Sequence, residues 1–271
     1  MTQYLWLVPL GFVVGAYGTL IGAGGGFVLV PVLLILYPRE SPEIITSISL
    51  AVVFFNALSG SVAYARMRRI DYRSGILFSA ASVPGAVLGA LLTSHIPRQA
   101  FDLVFGALMT LAAIYLLIRP VAGNPVLDAG GEPRFARRVV EANGVTHSFS
   151  YNPVTGVVIS FGVGFISSLL GIGGGIIHVP ALVGLLNFPV HVATATSHFI
   201  LAAMALTGTA VHIGAGTFTT GFRRTLLLSI GVLLGAQLGA MLSSRMRGTW
   251  IIRSLAIVLG LVGVRILWLA L

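Results

Sequence analysis

Residues 15–26 of the chain read GAYGTLIGAGGG and are followed by Val30-Pro31. Residues 164–175 read GFISSLLGIGGG and are followed by Val179-Pro180, with no gap between the two alignments. The correspondence continues downstream, where 46–49 matches 194–197 and 85–90 matches 235–240. The two halves of the chain are therefore repeats of one unit.

The composition places this repeated unit in lipid. Of the 271 residues, 56% are hydrophobic and only 8% are charged, whereas soluble domains carry about 25% charged residues. The basic residues are all arginine, the net charge is +9, and cysteine is absent. The arginines form short clusters between apolar runs, which is typical of cytoplasmic loops and gives no surface for a nucleic acid. The lack of cysteine excludes disulfides, thiolate metal sites and a cysteine nucleophile.

Apolar stretches with few or no charged residues divide the chain into ten segments: 5–21, 27–37, 44–65, 75–92, 101–118, 153–170, 176–186, 192–213, 226–242 and 251–269. A helix needs about 20 residues to cross a bilayer. Six to eight of the segments meet that length, whereas 27–37 and 176–186 reach about half of it. The two short segments follow the glycine clusters, so we expect a broken or re-entrant hairpin at the start of each repeat.

The pattern predicts an all-α polytopic membrane protein of two repeats with five segments each. An odd number of segments reverses the chain across the membrane, so the second repeat is expected to be inverted relative to the first. We divide the chain into a first membrane repeat (1–118), a polar linker (119–152) and a second membrane repeat (153–271). Alternating segments place eleven arginines on the linker side and five on the other. This asymmetry predicts a cell (inner) membrane protein with a cytoplasmic linker and both termini outside.

The glycine clusters are candidates for an anion site. Gly24, Gly25 and Gly26 in the first repeat, and Gly173, Gly174 and Gly175 in the second, lack side chains and precede short helices. Backbone N–H groups at a helix N-terminus bind oxyanions, and irregular backbone at membrane depth persists where it is buried or lines a cavity. The alternative is that these glycines serve only close helix packing. No lysine followed by Ser or Thr comes after them, which excludes a nucleotide-binding P-loop.

Polar side chains inside the apolar segments form a second group of candidates. Ser49 and Ser197 occupy matched positions one segment beyond the glycine clusters, and Thr196 and His198 flank the second of them. Neutral donors suit an anion that must be released as well as bound. The alternative for each is hydrogen bonding between helices or to the helix's own backbone.

Other chemistry is disfavoured. His191, His198 and His212 would lie roughly 10 and 20 Å apart along one helix axis, too far for one metal ion. No acidic residue lies well inside a segment, although cation carriers usually retain one. We therefore expect no metal and no cofactor. Arg66, Arg68, Arg69 and Arg73 are candidates for concentrating anions at the cytoplasmic mouth, although topology alone also explains them.

The duplicated Gly-x-Gly-Gly-Gly motif with a proline five residues later, together with Ala195-Thr196-Ser197-His198 and the Gly-Ala-x-Leu-Gly-Ala stretches, resembles the TauE/SafE sulfite exporter family. The resemblance covers nearly the whole chain outside the linker. It implies a secondary permease for small sulfur-containing anions such as sulfite or sulfoacetate. Where the second repeat reads 195–198 as ATSH, the first reads 47–50 as SISL, so the two halves need not contribute equal ligands.

The functional hypothesis is a secondary transporter, in the exporting direction, with alternating access at a midplane site between the repeats. Its expected partners are the small anion and the lipid bilayer, with no nucleic acid, and a homo-oligomer is compatible with the sequence. A passive anion channel is the nearest alternative. An intramembrane enzyme is disfavoured because no nucleophile, base or metal set converges, and a receptor or assembly subunit is disfavoured by the broken, duplicated helices.

Overall fold

The computed structural model describes residues 4–118 and 135–270 of the chain. Over these residues the helices are α1 (Leu7–Ile21), α2 (Gly26–Leu36), α3 (Pro42–Arg66), α4 (Tyr72–Thr93), α5 (Arg98–Ile118), α6 (Pro153–Leu170), α7 (Gly175–Gly184), α8 (Val190–Gly214), α9 (Phe218–Ser243) and α10 (Gly248–Ala270). Seven of them are long and apolar enough to span a bilayer, and α1, α2 and α7 are shorter. The prediction of an all-α polytopic membrane protein is confirmed.

Each glycine cluster breaks a helix in the same way. Gly22 ends α1 in the left-handed conformation, and Gly24 and Gly25 follow with φ of 75° and 80° before α2 begins. The second repeat reproduces these torsions between α6 and α7. Three left-handed residues within four positions would strain any side chain with a Cβ. We refer to residues 22–26 and 171–175 as the first and second glycine breaks.

The helices of the two repeats pack in pairs, and each pair contains one helix from each repeat. α4 packs along α6, α9 packs along α1, α3 lies against α8, and α5 lies against α10. The repeated Gly-Ala-x-Leu-Gly-Ala stretch explains the closest of these contacts, since a Cβ on its glycines would lie 2.1–2.2 Å from a backbone oxygen of the facing helix. The pairs are Gly85 with Phe161, Gly89 with Phe165, Gly235 with Phe12, and Gly239 with Ala16. Small residues of this kind let membrane helices approach closely.

The linker adds an element that the sequence analysis did not predict. Residues Phe135–Val140 and Thr146–Tyr151 form antiparallel strands β1 and β2, with Phe135 paired to Tyr151. We refer to 135–151 as the linker hairpin. Arg119, Arg134 and the rest of the linker before it lie outside the described residues. The ring of Phe149 packs 4.3 Å from that of Phe188 in the α7–α8 connection, so the hairpin is docked on the helices.

Candidate functional site

The two glycine breaks are in direct contact. A Cβ on Gly26 would lie 2.7 Å from the carbonyl oxygen of Gly171, and a Cβ on Gly175 would lie 2.3 Å from that of Gly22. All four residues are buried. The backbone of each repeat therefore meets the backbone of the other at the point where its first helix is broken, and Gly26 and Gly175 also serve close packing.

Buried N–H groups without acceptors remain at both breaks. The N–H of Gly24 donates to the Gly18 carbonyl at 3.1 Å, and that of Gly175 donates to the Gly173 carbonyl at 2.9 Å. In the described part of the chain, no hydrogen bond is donated by the N–H of Gly25, Gly26, Gly173 or Gly174. Buried backbone donors without a partner are rare because they lose their water without replacement. The arrangement can accept an electron-rich ligand at this point.

Two apolar side chains lie over the breaks. Leu201 approaches the Cβ position of Gly24 to 2.3 Å, and Val53 approaches that of Gly173 to 2.7 Å. Val53 on α3 and Leu201 on α8 are matched positions in the two repeats, and both are fully buried. The glycine backbone is therefore covered in this conformation, and a ligand reaches it only if these side chains move.

Ser49 and Ser197 tie each repeat to the other. The Ser49 hydroxyl donates to the Gly171 carbonyl at 2.6 Å, and the Ser197 hydroxyl donates to the Gly22 carbonyl at 3.2 Å. Each serine thus belongs to one repeat and bonds the glycine break of the opposite repeat. A hydroxyl has a single hydrogen, so neither serine has a donor free for an anion in this conformation.

A chain of polar side chains lies beside the first break. The Thr19 hydroxyl donates to Asn56 Oδ1 at 2.9 Å and lies 3.2 Å from His198 Nε2. The ring of Tyr64 stands edge-on to His198 with centroids 5.8 Å apart, and its hydroxyl donates to the Thr19 carbonyl. All of these side chains are buried. The structure therefore brings His198 to the first break, on the side of α1 and α3.

The second break has no equivalent chain. The positions matched to Thr19, Asn56, Tyr64 and His198 are Ser168, Met204, His212 and Leu50. Among the described residues the hydroxyls of Ser167 and Ser168 have no hydrogen-bond partner, and His212 lies near Thr217 instead. The two breaks are alike in backbone but different in side-chain chemistry, as the difference between ATSH and SISL implied.

Thr196 does not join the other candidates. Its hydroxyl accepts the backbone N–H of Asp71 at 3.0 Å, which turns it toward the α3–α4 connection and away from the breaks. Asp71 is 1% exposed, and its carboxylate accepts from Ser74 and from the Arg137 guanidinium of the linker hairpin. Thr196 is therefore linked through Asp71 to the hairpin.

A second ion pair fixes the tip of the linker hairpin. Glu141 accepts from Arg69 Nε at 2.9 Å and lies 2.9 Å from His147 Nε2. Arg69 is only 6% exposed. It is engaged in this buried pair rather than open to an approaching anion, which differs from its expected position at the mouth.

Acid is expected to loosen the hairpin. Burial alone raises the pKa of the Glu141 carboxyl, but hydrogen bonds from His147 and Arg69 and the charge of Arg69 bring that pKa below its usual value. A carboxylate with a lowered pKa in the docked state stabilises docking above about pH 4.5, and this contribution is lost as the pH falls through the docked value. Hydrogen exchange of the 141–145 amides, corrected for intrinsic rates, should therefore accelerate between about pH 5 and pH 3.

The matched control for that measurement is Glu141→Gln, whose exchange protection should be lower at neutral pH and flat across the same range. Equal protection of the wild-type amides throughout the range would show that the Glu141 carboxylate does not hold the hairpin.

Three buried residues with clear roles in packing or polar networks were not among the sequence candidates. Thr19 stands three residues before Gly22, where the first break begins, but reads as an ordinary helix residue. Asp71 follows a basic loop and reads as solvated. His178 lies on α7, where its Nε2 is 3.1 Å from the Ser160 hydroxyl. None of these three residues has the same residue type at the matched position of the other repeat. The glycines and serines do, and this repetition identified them as candidates.

Known proteins are similar in sequence to this chain over nearly its full length. The family model described as sulfite exporter TauE/SafE matches residues 7–266. A protein of Bacillus subtilis named probable membrane transporter protein YunE is 34% identical over 98% of both chains. A probable membrane transporter protein of Methanocaldococcus jannaschii is 25% identical over 96% of both chains. No solved structure matches the chain. Seven spanning helices and a family match of this extent show that the chain is a multi-pass membrane protein of the sulfite exporter TauE/SafE family.

Proposed function

We propose that this protein is a secondary transporter of small sulfur-containing anions such as sulfite or sulfoacetate, with its binding site at the two glycine breaks. The observation that carries the proposal is the set of buried N–H groups without acceptors at Gly25, Gly26, Gly173 and Gly174. An oxyanion supplies the missing acceptors. The family description and the names of the relatives support a transport function.

In this proposal the side chains around the breaks have distinct parts. His198 contacts the anion from the side of the first break. Ser49 and Ser197 hold the carbonyls of Gly171 and Gly22, which keeps these oxygens from facing the anion. Thr196 takes no part at the breaks and instead accepts the backbone N–H of Asp71, whose carboxylate is paired with the linker hairpin. Gly24 and Gly175, whose N–H groups already donate to backbone carbonyls, keep the backbone bare so that the ligand approaches closely.

The covered state of the breaks supports alternating access as the transport mechanism. Val53 and Leu201 lie on matched helices of the two repeats, so rocking of one repeat against the other withdraws one of these side chains at a time. We propose that 1–118 and 153–271 are the moving units and that the linker 119–152 is cytoplasmic. An anion that leaves a cell with a negative interior gains about 2.3 kcal/mol per charge per 100 mV, which favours export.

Counterflow in proteoliposomes tests the function. Vesicles containing the purified protein and loaded with unlabelled sulfite should accumulate external ³⁵S-sulfite, and competition by sulfoacetate, sulfate, chloride and a cation should rank the substrate class. Counterflow requires a carrier, so downhill flux without counterflow would indicate a passive channel. Recovery of chemically altered sulfite would indicate an enzyme. Absence of protein-dependent movement for every anion would remove the proposal.

Orientation has its own test, which uses the lack of native cysteine. A single cysteine at Phe135, at the exposed start of the linker hairpin, should resist an impermeant thiol reagent in intact cells and react after permeabilisation. Labelling in intact cells would reverse the proposed topology.

A further inference from the structure

The side chains of Asn56, Thr19 and His198 form a hydrogen-bonded chain, and a polar atom is left unpaired at each end of it. Within the described residues, neither Asn56 Nδ2 nor His198 Nδ1 has a hydrogen-bond partner, and both residues are fully buried. Unpaired buried polar atoms are costly, and two at the ends of one chain beside a glycine break indicate a ligand with two matching groups. This inference rests on the proposed function and concerns the chemical form of the ligand.

The direction of the hydrogen bonds determines which of the two unpaired atoms is a donor and which is an acceptor. If Thr19 donates to Asn56 Oδ1, then Thr19 must accept from His198 Nε2, so neutral His198 leaves Nδ1 as an acceptor and Asn56 leaves Nδ2 as a donor. If the Asn56 amide is turned over, every bond reverses, His198 Nδ1 becomes a donor and Asn56 leaves an oxygen acceptor. In both directions one end donates and the other accepts.

A fully deprotonated oxyanion has acceptors only. It accepts a hydrogen bond from the donor end of this hydrogen-bonded chain, but it leaves the acceptor end unpaired and repels it. Two changes remove the mismatch. Either the ligand carries a proton of its own, as a hydrogen-oxyanion with one hydroxyl, or His198 takes up a proton and both of its ring nitrogens donate. The bound composition is the same in both cases, because each contains the anion and one additional proton.

Among the described residues that contact His198, none carries a charge, so none competes with it for this proton. The ring is contacted by Thr19 from α1, by the backbone of Gly22 at the first break, and by Asn56 and Tyr64 from α3, of which Tyr64 is titratable. Arg69, which lies beyond the Tyr64 hydroxyl, is paired with Glu141. On α8 itself, the nearest contact with a charged residue is that of Thr196 with Asp71, which is paired with Arg137.

We propose that the Asn56–Thr19–His198 side of the first glycine break binds an oxyanion together with one proton, so that the two are transported as a unit. A dianion then crosses with one net charge and a monoanion crosses with none. Voltage therefore drives the export of a dianion half as strongly as it would without the proton. The second break, with Leu50 and Met204 at the matched positions, lacks this requirement.

Sulfite uptake under separate gradients tests the inference. In proteoliposomes held at zero voltage with valinomycin and equal potassium, a pH gradient with an alkaline interior should drive accumulation of ³⁵S-sulfite. Coupling to one proton predicts that the inside-to-outside ratio of the dianion approaches about tenfold per pH unit. Protein-free vesicles measure passive leakage. Protein-dependent uptake that ignores the pH gradient and responds only to voltage would overturn this inference while leaving anion transport in place.

The chain offers a matched pair of variants. His198→Leu introduces the residue found at the matched position 50, and His178→Leu introduces the residue found at the matched position 29, so both exchange a buried histidine for its counterpart in the first repeat. His178 packs against Phe78 and Ser160, and in the described part of the chain no hydrogen bond joins it to Thr19 or Asn56. His198→Leu should lower pH-driven sulfite uptake about tenfold or more, and His178→Leu should leave it within about twofold.

Wild-type coupling retained in His198→Leu would overturn the assignment of the proton to this side chain network. The wild-type comparison of pH and voltage needs no variant, so the inference is decided even where His198→Leu yields no folded protein. If no anion moves under either gradient, the proposed function fails and this inference fails with it.

Discussion

Replacement of Gly175 by alanine is expected to lower sulfite flux at least about 100-fold. The new Cβ would lie 2.3 Å from the Gly22 carbonyl oxygen and 2.4 Å from the Ala23 Cα, so the two glycine breaks must separate. Both contacts are with backbone, and no flexible side chain is present to yield. Because the proposed site is formed by N–H groups from both breaks, a displacement of this size removes one side of it. Flux is measured by counterflow and normalised to monodisperse protein.

The control for this substitution is Gly162→Ala on α6, in the same repeat. A Cβ on Gly162 meets nothing within 4 Å, so this variant should transport as the wild type does. Gly26→Ala makes the reciprocal contact with Gly171 and should show the same defect as Gly175→Ala. Normal flux in folded Gly175→Ala protein would mean that the contact between the breaks is not needed for transport.

Removal of the Arg137 guanidinium is expected to destabilise the docked linker hairpin by about 3 kcal/mol. Asp71 is 1% exposed, and of the donors to its carboxylate in the described part of the chain, Arg137→Ala leaves only the Ser74 hydroxyl. The loss of one partner from a buried ion pair is costly because the remaining charge stays desolvated. Arg137 keeps part of its side chain in solvent, which places the effect at the lower end of the usual range. The free energy is measured from denaturant unfolding of the purified protein in mild detergent.

Two further variants distinguish the loss of the ion pair from a general loss of stability. Arg138→Ala, on the exposed face of the same strand, should change stability by less than about 0.5 kcal/mol. Asp71→Asn combined with Arg137→Ala should recover part of the loss, since the uncompensated charge is gone. Additive effects of the two substitutions would show that Asp71 and Arg137 do not interact energetically.

Several features of the fold were predictable because they depend on single segments. Three glycines within four residues favour a break in a helix, since positive φ is accessible to them without a Cβ penalty. The lengths of the apolar stretches identify which helices span a bilayer. The repeat of 15–26 at 164–175 correctly indicated two copies of the same broken helix pair.

The candidate site was predictable only in part. The glycines were identified from their repetition, and His198 was identified as a departure from it. The sequence did not indicate that Ser49 and Ser197 give their hydrogens to glycine carbonyls, because a serine in a membrane helix has several possible acceptors. It also did not indicate Thr19, whose role arises from its neighbours Asn56 and His198 on two other helices.

By itself, the sequence determined the lipid environment, the ten helical segments and the positions of the two breaks, because hydrophobicity and backbone freedom belong to each residue. Only the tertiary structure decided that the breaks meet, that the linker folds into a docked hairpin and that one break alone carries a polar chain. The contacts that create those features join residues 37 to 179 positions apart. Their partners are selected by how the repeats pack, and packing depends on the shape of both surfaces at once.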